Sequence, residues 1–147
     1  MAGMNRRKPG AEVLARSFGP LEVQVLETIW RQRRPATVRD LHASFSQLAY
    51  TTLMTTLDRL HSKGVLRRTK LGRAYAYEPC FARAEMELRI AARSVEELLG
   101  AAQGRSAVAP ILSCFVDAVS DRDRLLLDDL ERLLHEKREQ LVRGSSR

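Results

Sequence analysis

Between Ala49 and Lys63 the chain carries a segment whose two faces differ in chemistry, and that difference narrows the possible folds more than any other feature. At 100° per residue, Leu53, Thr56, Leu57 and Leu60 gather on one side with Ala49, the pattern of a helix buried along one stripe. Thr51, Thr55, Asp58 and Ser62 fall opposite, with Thr52 and Arg59 flanking on one side and Met54 on the other. A solvated helix face usually favours Lys, Glu and Gln, because threonine is stiff at χ1 and lowers helix propensity. The threonines therefore either form a bland surface or serve a partner.

What surrounds this helix decides between the two. Gly64 stands at a natural C′ position. Two short strands follow, Val65 to Thr69 and Ala74 to Tyr77, joined by Lys70-Leu71-Gly72-Arg73, so the region reads as a β-hairpin closed by Pro79. Upstream, a helix begins after Pro20 and turns Leu21, Val25, Leu26, Ile29 and Trp30 inward until Pro35 stops it. Thr37-Val38-Arg39-Asp40 has the form of a capping box, opening a short helix to about Ser46 with Val38, Leu41 and Phe45 inward. Three short helices and then a basic-tipped hairpin is the order of a winged helix-turn-helix. The fold class is mainly α with a small β-hairpin wing.

Beyond Pro79 the pattern is helical throughout. A long helix is expected from Phe81 to about Gly104, with Met86, Ile90, Leu98 and Leu99 among its apolar positions, and a second around Ile111 to Val119. The last helix starts at the capping pattern Ser120-Asp121-Arg122-Asp123. It carries Leu127, Leu130, Leu134 and Leu141 in steps of three and four, with Lys137 filling the one polar step. Three amphipathic helices in fewer than 70 residues bury little within one chain, so pairing with a second copy through these leucines is the economical solution. The expected organisation is a flexible basic arm over residues 1–17, a winged helix-turn-helix DNA-binding domain over 18–79 and a helical dimerisation domain over 80–147.

Charge follows the same division. Residues 1–78 hold 14 Lys/Arg against 6 Asp/Glu, whereas residues 79–147 hold 11 against 12. A phosphate-binding head gains affinity from counterion release, while a dimer seam gains nothing from net charge. A helix fits the major groove, and short side chains near its N-terminal end approach base edges closely. Thr51, Thr52 and Thr55 are placed for that, with Tyr50 beside them. Arg59 suits phosphate, and Lys70 and Arg73 at the hairpin tip suit the backbone or the minor groove. Asp58 lies on the same face, where it would repel phosphate.

Other chemistries find little support. At 147 residues there is no room for separate cofactor and substrate lobes. His42, His61 and His135 sit on three different predicted helices without a carboxylate-rich or cysteine-rich motif, and Gly72 is a lone hairpin glycine. Neither a catalytic set, a metal set nor a cofactor is expected. Cys80 and Cys114 lie far apart in no metal or redox spacing, which suits a reduced, cytoplasmic protein. No apolar stretch of signal-peptide length follows the basic start. Ala107 to Val119 is too short to span a bilayer and is interrupted by Pro110, Ser113 and Asp117, so no membrane insertion is expected.

The run from Leu48 through Tyr50-Thr51-Thr52-Leu53-Met54-Thr55-Thr56-Leu57-Asp58-Arg59 to Leu60, then Lys63-Gly64 and Ala74-Tyr75-Ala76-Tyr77, resembles the penicillinase-repressor family, the BlaI/MecI group of winged-helix regulators. The similarity extends over roughly residues 18 to 142 and is strongest through the winged helix. The resemblance implies a homodimeric repressor on a pseudo-palindromic operator, often with TACA/TGTA half-sites, with Thr51, Thr52 and Thr55 at positions that touch DNA. In several members a membrane sensor protease pathway triggers cleavage before a phenylalanine in the dimer domain. Phe115 takes that place, preceded by Cys114 where those members carry asparagine, and the pair is the candidate proteolytic switch. A copper-responsive branch carries a cysteine-rich tail motif that is missing from this sequence. Two alternatives stand beside repression: a redox- or ligand-responsive sensor switched through Cys80, Cys114 or the dimer cleft, and an interaction module with no DNA partner.

Overall fold

A computed structural model describes residues 11–145, and its first helical turn comes earlier than the periodicity indicates. Helix α1 (Ala11–Leu14) delivers Leu14, fully buried, into the core. The flexible arm expected over 1–17 is thus corrected for residues 11–17. One helical turn is too short to show a period, yet Leu14, with Val13 and the following Phe18, seats it against the core. Residues 1–10 lie outside the described residues.

Helix α2 (Pro20–Gln32) starts with proline at N1, where its missing N–H is not needed. The Gly19 N–H donates to Glu22 Oε2 at 2.9 Å, half of a capping box, since glycine has no side chain to return the bond. Val25, Leu26 and Ile29 are buried as the spacing requires. Strand β1 (Ala36–Thr37) leads directly into α3 (Val38–His42). The capping box forms as expected: the Thr37 N–H donates to Asp40 Oδ2 at 2.9 Å and the Asp40 N–H donates to Thr37 Oγ1 at 3.2 Å. Helix α3 ends at His42, short of Ser46. The His42 Nε2–H donates to the Leu48 carbonyl at 2.8 Å and holds the turn that follows.

Helix α4 (Tyr50–Ser62) buries Leu53, Thr56, Leu57 and Leu60. Strands β2 (Leu66–Leu71) and β3 (Ala74–Pro79) then form the hairpin. It is longer and tighter than the sequence suggests. Lys70 and Leu71 continue the ladder opposite Tyr75 and Ala74, leaving Gly72 and Arg73 as the turn, with Gly72 at φ +63° as a two-residue II′-type loop requires. The sheet has the order β1-β3-β2, all antiparallel, with Ala36 opposite Tyr77 and Thr37 opposite Ala76. Strand β1 was not expected, because two residues cannot display alternation.

The chain divides into two units, Met1–Ser94 and Val95–Arg147. Helix α5 (Arg83–Ala101) begins in the first, where Met86 and Ile90 join the core around Leu26, Leu57 and Tyr77. Trp30 Nε1 donates to the Phe81 carbonyl at 2.9 Å, and Arg83 pairs with Glu27 at 2.9 Å. The boundary expected at 79/80 therefore lies after Ser94, because the first turns of α5 complete the head.

The second unit holds the end of α5, α6 (Arg105–Arg122) and α7 (Leu125–Gly144). Helix α6 is longer than expected and contains Pro110. Residues 120–122 belong to α6, so they do not open the last helix. Ser120 Oγ donates to the Asp117 carbonyl at 2.8 Å, and Asp123 Oδ1 accepts from the Leu125 N–H at 2.9 Å. Among the described residues of this unit, not one side chain is buried. Leu127 and Leu130 are half-buried, while Leu134 and Leu141 are 53% and 62% exposed.

Candidate nucleic-acid interface

Helix α4 is held from behind and open in front. Its leucines are anchored in the core, and Thr56, facing the same way, satisfies its hydroxyl on the Thr52 carbonyl at 2.8 Å. Thr51, Thr52, Thr55 and Arg59 are exposed on the other side. They line a shallow concavity of about 560 Å³ together with Gly19, Pro20 and Glu22 from the start of α2 and with Lys63. Thr55 Oγ1 donates to the Thr51 carbonyl at 2.9 Å, so its free side offers lone pairs and a methyl. Helix α4 starts at Ala49 without a side-chain cap and without an acidic residue in its first turn. Its first amide N–H groups remain open to an outside acceptor, and the positive end of its dipole is not neutralised.

Tyr50 is exposed beside these residues, its ring 6.1 Å from that of His42 in edge-to-face geometry. Lys70, at the end of β2, and Arg73, in the turn, are exposed at the hairpin tip and do not line the concavity. Cys80 is half-buried at the foot of the hairpin, where its N–H donates to the Val65 carbonyl at 2.8 Å. Cys114 and Phe115 are exposed midway along α6, in the wall of an apolar groove of about 660 Å³ that also holds Leu98, Leu99 and Pro110. Among the described residues no three His, Cys, Asp or Glu side chains gather as a metal ion would require. No described helix is long and apolar enough to cross a membrane.

Sequence reasoning missed two polar contacts that shape this surface. Lys63 Nζ lies 2.9 and 3.0 Å from the two Glu22 carboxylate oxygens and 5.3 Å above the Phe18 ring, tying the end of α4 to the start of α2. Burial pushes the Glu22 carboxyl up, but the Lys63 ammonium, the Gly19 N–H and Arg59 outweigh it and hold it below its ordinary value. The second contact joins α4 to the wing. Asp58 Oδ1 accepts from Arg68 Nη1 at 3.0 Å and from the Tyr77 hydroxyl at 3.1 Å. Burial raises the Tyr77 phenol above its ordinary value, with Asp58 acting in the same direction against Arg68, so the hydroxyl stays a donor. The Pro20-Leu21-Glu22 start of α2 signals only the local Gly19–Glu22 bond, and not the tie to Lys63, 41 residues away. No local pattern signals the second contact either.

The helices α2, α3 and α4 packed on a three-stranded antiparallel sheet with a hairpin wing, and the exposed threonine- and arginine-bearing face of α4, define a class, the winged-helix transcription regulators. Within that class the chain belongs to the penicillinase-repressor family: the family described as Penicillinase repressor matches residues 18–136. The transcriptional regulator BlaI of Mycobacterium tuberculosis, from strains CDC 1551 and H37Rv alike, is 35% identical over 121 residues, which is 78% of this chain and 85% of that protein. Among solved structures, MepR, a transcription regulator of the Staphylococcus aureus multidrug efflux pump MepA, is similar at 13% identity with a TM-score of 0.46, covering 78% of this chain and 87% of its own. The MepR–DNA complex is similar at 12% identity with a TM-score of 0.45, over 76% and 85%.

Proposed function

We infer that this regulator binds double-stranded operator DNA as a homodimer and represses transcription there, acting in the cytoplasm. The observation that carries the reading is the two-sided chemistry of α4. One face is locked into the core by Leu53, Leu57 and Leu60, while the other presents Thr51, Thr52 and Thr55 near an uncapped helix start and Arg59 in the last turn. Such a helix has the width of the major groove, and its short polar side chains suit base edges. Tyr50 flanks the bases, Arg59 takes phosphate, and Lys70 and Arg73 reach the backbone or the minor groove from the wing.

The homodimer half of the reading rests on the second unit. A set of helices with no buried side chain among its described residues cannot hold its fold by its own core, and its leucines are left facing out. A second copy presenting Leu127, Leu130, Leu134 and Leu141 covers them and sets two heads on one duplex. Relief of repression by a sensor protease pathway falls at Cys114–Phe115. Proteases take extended chain, so α6 must open there, and Pro110, which cannot donate to the Ser106 carbonyl, weakens the turn just before it.

The test is selection of duplexes from a random pool by the full-length protein, followed by titration at several salt concentrations. Enriched duplexes should carry a two-fold repeat with half-site centres about one helical turn apart, binding two chains, with affinity falling steeply as salt rises. No enrichment, or an affinity indifferent to salt, would overturn the reading.

A further inference from the structure

Asp58 is the only acidic residue in α4, and it lies on the face assigned to DNA. A carboxylate there opposes phosphate, so a residue serving affinity alone would be neutral or basic. Its surroundings give it another task. Its Oδ1 atom receives both Arg68 Nη1, at 3.0 Å, and the Tyr77 hydroxyl, at 3.1 Å. Arg68 and Tyr77 are opposite one another in the β2–β3 ladder, and the Arg68 guanidinium stacks 4.4 Å from the ring of Tyr75, two residues before Tyr77 on the same face of the strand. Tyr77 is 2% exposed, so its hydroxyl cannot wander, while the Asp58 side chain is 51% exposed and is held by these bonds rather than by packing.

We propose that Asp58 is a positioning residue for DNA recognition: it fixes the wing against the reading helix, so that Lys70 and Arg73 meet the backbone in register with the threonines. It acts on specificity through geometry, not through contact with a base. The proposal rests on the DNA-binding reading and deepens it. Two effects of opposite sign follow from removing the carboxylate. Loss of a negative charge strengthens binding to every duplex, and loss of the tie lets the wing and Arg68 move, which weakens the operator more than other sequences.

The experiment compares full-length wild type, D58N, D58A and Y77F on the duplex selected by the wild type and on a scrambled duplex of equal length, across a salt series. The expected result is a fall of roughly tenfold in the operator-over-scrambled ratio for D58A, with Y77F shifting the ratio the same way although it changes no charge. The double variant D58A/Y77F should lose less than the product of the two single losses, because both break one network. Salt slopes should be unchanged or steeper in D58A, whereas a loss of folded heads flattens binding to both duplexes. Should D58A fail to fold, D58N and Y77F decide. If the Asp58 variants tighten both duplexes equally and Y77F leaves the ratio alone, the carboxylate is a bare repulsive charge and the proposal is overturned. If the wild type itself does not discriminate, the DNA-binding reading falls first.

Discussion

Thr55 donates its hydroxyl proton to the carbonyl of Thr51 within its own helix, so what it shows a partner is an acceptor and a methyl group. It is matched to the exocyclic amine of adenine or cytosine, or to the methyl of thymine. Thr52→Ala and Thr55→Ala should each weaken the selected duplex more than a scrambled one, by about 1–3 kcal/mol in a fluorescence titration. Equal losses on both duplexes would reassign them to phosphate. A second residue-scale prediction concerns acid. The Thr37 N–H and hydroxyl hold the Asp40 carboxyl below its ordinary range, against a small opposing effect of burial. A carboxyl lowered by folding stabilises the fold fully above its unfolded pKa, and that contribution is lost as pH falls through the native value. Asp40→Asn should therefore destabilise the head at neutral pH, and urea midpoints of the two proteins should converge as pH falls below the ordinary aspartate range. Thr37→Ala removes the other half of the box and should cost about 1 kcal/mol. The threonine face and this cap were legible because their determinants lie within one or two helical turns. The role of Asp58 was not, since its partners lie 10 and 19 residues away and meet it only once the hairpin has docked.

Elements were readable in proportion to their length and to the regularity of their apolar spacing. Helices α2 and α4 and the hairpin stand close to where Val25, Leu26, Ile29, Leu53, Leu57, Leu60 and Gly72 place them. Strand β1 escaped because Ala36 and Thr37 hold their place by pairing with β3, not by a pattern of their own. Helix α6 extends beyond the span its sequence pattern marks, because it has no buried face to generate a period and because Pro110 argues for a break. The helix instead passes through the proline without the bond that an N–H there would give to Ser106. Pro110→Ala should restore that bond and stabilise α6 by up to about 3 kcal/mol. Amide exchange over residues 111–118 should slow, and proteolytic nicking near Phe115 should slow with it. Unchanged exchange would show that α6 is not weakened at this turn.

At the scale of the whole molecule, the first unit runs past the hairpin that Pro79 closes and ends after Ser94. The head ends where its core ends. Met86 and Ile90 are buried with Leu26 and Leu57, the Trp30 indole is tied to Phe81, and Arg83 reaches Glu27. Drawn after Ser94, the division also sharpens the charge asymmetry: residues 1–94 hold 17 Lys/Arg against 8 Asp/Glu, and residues 95–147 hold 8 against 10. Two truncations separate folding from assembly. A chain ended at Pro79 loses two buried side chains and the Trp30 bond, and at about 2–5 kcal/mol for each large apolar side chain removed from a core it should melt well below the intact protein. A chain ended at Ser94 keeps that core and should fold as a monomer by sedimentation, with its affinity for the selected duplex lowered at least a hundredfold because the second head no longer binds as part of the same particle. Its affinity for scrambled DNA, carried by cations of a single head, should fall far less. A chain ended at Ser94 that still sedimented as a dimer, or that held the selected duplex as tightly as the full chain, would move the assembly surface from α6 and α7 into the head.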